Sequence, residues 1–330
     1  MASETAPDSP SDHSYGSDYH VPVLSARITE GLVTDRTATY VDATVGGGGH
    51  ARALLDCLAP DGRVVGIDRD YEAIVEADKR LSDARESGRF TAIHGNFANL
   101  SSVLREEGID NVRGILLDLG MSSHQIDSPQ RGFSYQEEGP LDMRMNTRAG
   151  RTAAEIVNGW PAKDVANILY RFGEERYSRT IARAIVEARP LKTTRELAEV
   201  IRGVTPPPQQ VKTLSRVFQA LRIVVNDELT ALEAALEDAL QVLPEGGRMA
   251  VISYHSLEDR RVKYYFKYGN FEGQPVKDFY GHLLRPWKPL TRKPVRASEE
   301  EIAENPRARS ARLRIAEKIN EPEVQDKAFK

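Results

Sequence analysis

Three aspartates and a run of glycines are the residues in this chain best placed to do chemistry. Asp42 precedes Gly46-Gly47-Gly48-Gly49, and Asp68 follows about 20 residues after it, the interval at which an acid reaches a ribose hydroxyl pair. Asp118 closes a third apolar run, Gly114-Ile115-Leu116-Leu117. The pattern Gly46-x-Gly48-x-x-Ala51 fits a nucleotide-binding turn, in which glycines let backbone approach a ligand closely. Taken singly, each acid could be a plain helix cap, and the glycines a plain loop. A pyrophosphate would rest over such glycines at the helix N-terminus. Asp42 just before them would repel it and suits a cationic ligand instead. The glycine loop also lacks the lysine of an NTPase phosphate loop. S-adenosylmethionine, with a sulfonium, an ammonium and no phosphate, fits this charge pattern. Asp42 would face its ammonium, Asp68 its ribose and Phe97 its adenine.

Such residues converge only if alternating strands and helices set them at one edge of a sheet. The spacing predicts strands over 39–44, 63–67, 90–94, 114–117 and 248–253, with helices over 25–32, 50–58 and 71–81 between them. That rhythm implies a parallel sheet covered on both faces, with ligands bound beyond the carboxyl ends of the strands. From 125 to 216 no strand is expected, and helices are predicted over 153–158, 162–172, 176–188 and 194–201. This reads as an inserted all-helical domain, 125–216, within a sheet domain formed by 19–124 and 217–318. One long helix is predicted over 217–243. Another covers 258–266, with Ser256 and Asp259 spaced as a capping box. Residues 1–18 read as a disordered tail and 319–330 as a C-terminal tail, with fraying expected from Lys318 onward.

Composition sets outer bounds. The 330 residues predict about two domains. One cysteine, Cys57, excludes internal disulfides and a cysteine-rich metal site. A buried structural thiol is the better reading of it. No metal is expected. The N-terminus lacks signal-peptide character, and no apolar run is long enough to span a bilayer. The expectation is a reduced, cytoplasmic protein with no membrane contact. Its oligomeric state is open, a homodimer included. The net charge of −4 hides two basic stretches. Residues 258–296 hold ten Lys/Arg against four acids, and 171–222 hold eleven against five. Each could be a solvated face, and each is compatible with a polyanion. Arg260, Arg261, Lys263, Arg292 and Lys293 are the candidate RNA phosphate contacts. Tyr264, Tyr265 and Trp287 could stack on bases or sit in the core.

Longer motifs narrow the choice. They include His20-Val21-Pro22-Val23-Leu24, Asp42 to His50, Gly66-Ile67-Asp68-Arg69-Asp70 and Leu116 to Ser123. Arg131-Gly132-Phe133-Ser134, Pro140 to Met145, Phe172 to Arg176 and Phe218 to Ile223 continue the series. Tyr254 to Arg260 and Glu304 to Ser310 complete it. In these stretches, collinear from about residue 20 to 318, the chain resembles the bacterial small-subunit ribosomal RNA cytosine-N4 methyltransferases, the MraW or RsmH family. Gly47 and His124 depart from the usual family residues. The resemblance implies a class I (Rossmann-like) methyltransferase sheet. It also implies S-adenosyl-L-methionine as methyl donor and cytidine N4 in the decoding region of 16S rRNA, within the small ribosomal subunit, as acceptor. It carries cofactor contacts onto Gly48, Gly49, His50, Asp68, Phe97, Asp118 and Gln125, while Asp42 rests on the charge argument alone. Asp118 is the first candidate for orienting the acceptor amine. His255 is a second, with a packed structural role beside a capped helix as the equal alternative. Another RNA or small-molecule methyltransferase on the same fold, or a non-catalytic RNA-binding assembly protein, are the competing readings.

Overall fold

A computed structural model describes residues 22–320. The expected N-terminal tail, and all but the first two residues of the C-terminal one, lie outside the described residues. The strands are β1 (Thr39–Asp42), β2 (Arg63–Asp68), β3 (Phe90–His94), β4 (Val112–Asp118), β5 (Arg248–Ser253), β6 (Trp287–Pro289) and β7 (Arg312–Lys318). They form one sheet in the order β3-β2-β1-β4-β5-β7-β6. The first five are parallel, and β7 runs antiparallel to both β5 and β6. The central strands are nearly continuous apolar runs because both faces are covered. Tyr40, Val41, Val64, Ile67, Ile115, Leu116 and Leu117 are all fully buried.

One face is covered by α1 (Ser25–Leu32), α2 (Gly49–Cys57), α3 (Tyr71–Arg80) and α4 (Ser82–Glu86), through Leu32, Leu54, Ala77 and Leu81. The other is covered by α5 (Leu100–Glu106), α12 (Glu228–Val242) and α13 (Ser256–Tyr268), through Leu100, Leu232, Leu236 and Phe266. Between β4 and α12 the chain contains α6 (Ser123–Asp127), α7 (Ala153–Gly159), α8 (Ala162–Gly173), α9 (Ser178–Glu187), α10 (Thr194–Gly203) and α11 (Gln210–Asn226). α7 to α11 close on an apolar cluster of their own. α14 (Glu299–Glu304) precedes the last strand.

Four local expectations are corrected. The single helix over 217–243 is two helices, broken at Asp227, whose φ of 49° is left-handed. The break lets Arg222 turn back onto Glu228 with two 2.8 Å hydrogen bonds. α11 packs Leu214, Val217, Phe218 and Leu221 into the helical unit, so that unit's apolar cluster runs past residue 216. The cap of α13 is His255 rather than Ser256: its Nδ1 accepts from Glu258 N, and the Glu258 carboxylate accepts from His255 N. Finally, Lys318, where fraying was expected to begin, is ordered. It ends β7, and its ammonium donates to the Leu240 and Leu243 carbonyls.

Candidate functional site

Register brings the three acids together. Asp42, Asp68 and Asp118 each end a strand, and β1 lies between β2 and β4. Beyond these ends lies a cavity of about 850 Å³. Its floor is the loop from Ala43 to Gly47. Asp68 braces that loop: one carboxylate oxygen accepts from Gly46 N at 2.9 Å, the other from Asp70 N at 2.9 Å. Burial pushes the Asp68 carboxyl up, partly opposed by these two backbone donors. Gly48 caps α2 at φ 80°, and a side chain there would press on Leu81.

The predicted cofactor residues divide into two groups. Gly49, His50, Asp68, Phe97, Asp118 and Gln125 line the cavity. Gly48 and Asp42 do not. Gly48 acts through the shape of the turn, and Asp42 lies fully buried beneath the loop, accepting from Thr44 N at 3.3 Å. Burial raises the Asp42 carboxyl to about 7 despite the pull of His50. A direct ammonium contact from Asp42 is therefore replaced by a buried support beneath the loop, and of the three strand-end acids Asp68 and Asp118 line the cavity.

Asp118 is held on the wall from two sides. Its backbone N–H donates to Thr44 Oγ1 at 2.7 Å, and its Oδ2 stands 3.3 Å from His50 Nε2. Burial alone would lower His50, but Asp118 and Asp42 outweigh it and hold the imidazole above its ordinary value. Tyr254 lies on the other side. Burial and the Asp118 charge push its hydroxyl well above the usual range, so it stays a neutral donor. The ring approaches so closely that a Cβ at Gly120 would stand 2.7 Å from Tyr254 Cε2.

His255 does not line the cavity. It is the α13 cap, with Nε2 3.1 Å from Glu258 Oε1, which favours the structural reading. Glu228, His255 and Glu258 come within 4.8 Å of one another. Arg222 already answers the charge of Glu228, and burial of Glu258 is outweighed by His255 and Arg222, which hold it below its usual value. Of the expected RNA contacts, Arg260 reaches Glu174 at 3.5 Å and Arg261 bonds Glu233 at 2.5 Å. Lys263, Arg292 and Lys293 are exposed. Tyr265 and Trp287 are core residues.

Sequence reasoning missed the latch that closes the far wall. Asp70 caps α3 and accepts from Gln125 Nε2 at 2.9 Å and from Arg131 at 2.8 Å. Arg131 also donates to the Met145 carbonyl at 2.9 Å and to Glu72 at 2.8 Å. Asn226 bonds Met145 N at 2.7 Å and the Met143 carbonyl at 2.8 Å, while Arg69 donates to the Asn226 carbonyl at 2.7 Å. Arg69, Asp70, Arg131, Met143 and Met145 lie in the motifs quoted above and Glu72, Gln125 and Asn226 outside them, but nothing in one motif tells which distant residue it meets.

Residues 17–319 match the MraW methylase family. The chain belongs to that family. It is 46% identical to the ribosomal RNA small subunit methyltransferase H of Porphyromonas gingivalis, over 91% of this chain and 97% of that one. It is 47% identical to the protein of the same name from Syntrophotalea carbinolica, over 91% and 98%. A solved rRNA methylase from Streptococcus thermophilus covers 90% of this chain and 94% of its own at 15% identity. The TM-score of that likeness is 0.38. Among the described residues no helix is long and apolar enough to cross a membrane.

Proposed function

We propose that this chain methylates N4 of a cytidine in the decoding region of 16S rRNA, within the small ribosomal subunit, with S-adenosyl-L-methionine as donor. The names of the relatives support the substrate. The observation that carries the reading is the Asp118 carboxylate on the cavity wall, backed by His50 and flanked by Tyr254. The donor, when bound, supplies an electrophilic methyl group on a sulfonium.

The residues present fit that donor. Asp68 and Asp118 offer carboxylates to a cationic ligand, and Asp68 is already aimed by two backbone donors. Phe97 provides an apolar wall, with Arg69 5.4 Å from its ring centre. Gly49 and His50 open α2 beneath.

The acceptor is a weak nucleophile because its lone pair is delocalised into the ring. Asp118 accepts a hydrogen bond from N4, favours pyramidalisation and takes up the proton that must leave. His50 and Thr44 hold Asp118 in place, so orientation supplies much of the rate. A base held in a stack cannot present its N4 to a carboxylate on a cavity wall, so the cytidine must swing out of its stack.

The test uses small subunits from a strain lacking the modification, labelled donor, and mapping of the modified nucleoside. Asp118→Asn should lower the single-turnover rate by about 100-fold or more, the scale of one positioned acid–base group. A full rate at normal donor affinity would remove Asp118 from this role. Donor binding without rRNA methylation would favour a small-molecule or protein methyltransferase.

A further inference from the structure

Beyond α13 the chain forms a narrow hairpin, closed by the pairing of Lys277 with Leu283 and by Leu284 N donating to the Val276 carbonyl at 2.8 Å. Its tip is rigidly braced. Asp278 Oδ1 accepts from Tyr280 N at 2.9 Å and from His282 N at 2.8 Å, and Oδ2 lies 2.9 Å from His282 Nδ1. Gly281 completes the turn at φ 88°. This bracing holds two aromatic rings out of the protein: Phe279 is 96% exposed and Tyr280 81%. Their rings stand edge to face, 5.6 Å apart at 87°, so they offer faces in two directions.

An ordered turn built to expose a phenylalanine calls for a partner with a flat apolar face. The surroundings select which. Past Arg260 and Arg261, which pair with Glu174 and Glu233, the stretch from Lys263 to Lys293 holds seven Lys/Arg and two acids, and one of those acids, Asp278, is spent inside the turn. A second copy of this chain would bring the same basic stretch against itself in a two-fold contact. A single-stranded nucleic acid offers both a polyanionic backbone and stackable bases. The hairpin does not line the methyl-transfer cavity. α13 begins beside that cavity and leads toward the hairpin through 13 residues, about 20 Å of helix.

We propose that Phe279 and Tyr280 form a stacking finger for unpaired bases of the RNA substrate, outside the cavity that receives the target nucleotide. The inference rests on the RNA-substrate reading above.

The experiment compares wild type with a Phe279→Ala/Tyr280→Ala double variant, using unmodified small subunits. Stacking on one base implies about a tenfold loss of subunit affinity, and more if both rings engage. Donor affinity, melting temperature and hydrodynamic size should match wild type. A photoreactive phenylalanine analogue at position 279 should crosslink to 16S rRNA. Equal subunit affinity would overturn the finger, as would crosslinks only to a ribosomal protein or to a second copy of the chain. If wild type itself leaves the subunits unmethylated, the proposed function fails. If it methylates them and the double variant binds as tightly, only the finger fails.

Discussion

Asp68→Asn is the substitution that asks most of this site. Asp68 uses one oxygen for Gly46 N and the other for Asp70 N, both at 2.9 Å. An amide has only one oxygen, so in either orientation its NH₂ faces a backbone N–H. One charge-assisted hydrogen bond is lost and one half-buried donor is stranded, at a cost of about 1.5–3 kcal/mol. Burial raises the Asp68 carboxyl, so a neutral amide recovers part of its desolvation cost, and the lower end of that range is expected. At about 2.1 cal/mol/K of unfolding entropy per residue, 330 residues give about 1.4 °C per kcal/mol, so melting should fall by about 2 °C. The same change weakens the acceptor for the donor's ribose, where a loss of about 1.5–3 kcal/mol is about a 10- to 150-fold weaker Kd. Differential scanning calorimetry reads the first effect and titration calorimetry with S-adenosylmethionine the second. A variant that melts and binds like wild type would refute both the brace and the ribose assignment. Lower stability with unchanged affinity would leave Asp68 as a brace only.

Three further outcomes follow from neighbouring contacts. Asp42 titrates at about 7 in the fold against 3.8 ordinarily, so the folded state holds the proton more tightly. Its stabilisation is fully present below about pH 4 and is lost as pH rises to about 7, with an upper bound of about 4 kcal/mol. His50, raised above 6.5, adds a loss in the same direction above that value. Asp42→Asn should therefore flatten denaturant-measured stability between pH 4 and 8, and a wild-type slope in the variant would contradict the buried pair. Gly120→Ala should displace Tyr254, which its Cβ would meet at 2.7 Å, costing about 1–3 kcal/mol. Single-turnover methylation should fall more than donor affinity, and an unchanged rate would show that Tyr254 does not help set Asp118. Asn226→Ala strands Met145 N and the Met143 carbonyl and should cost about 2–4 kcal/mol in chemical denaturation, whereas a loss below 1 kcal/mol would show water replacing the amide.

Much of the sheet was legible because β1 to β5 are short apolar runs with acids or turns at their ends. Burial on both faces makes that pattern plain in residues such as Val64, Ile67 and Leu116. β7 was illegible for the opposite reason: Arg312, Arg314, Glu317 and Lys318 interrupt its apolar run, and Arg314 is buried only because Asp259 pairs with it at 2.7 Å. β6 has three residues and ends on a proline. The break at Asp227 carries no glycine or proline, and only the Arg222–Glu228 fork reveals its purpose. At the site, the strand-end position of Asp68 and Asp118 could be read from local pattern. The burial of Asp42, the cap formed by His255 and the Asp70–Arg131 latch could not, since each depends on contacts between distant segments.

The most direct test of the central claim is nucleoside mapping after a single incubation. Unmodified small subunits, labelled S-adenosylmethionine and this protein are combined, and the rRNA is digested and resolved by mass spectrometry. The account predicts one labelled nucleoside, N4-methylcytidine, from the decoding region, lost in Asp118→Asn. Label on cytosine C5, on another base or on no RNA at all would contradict it.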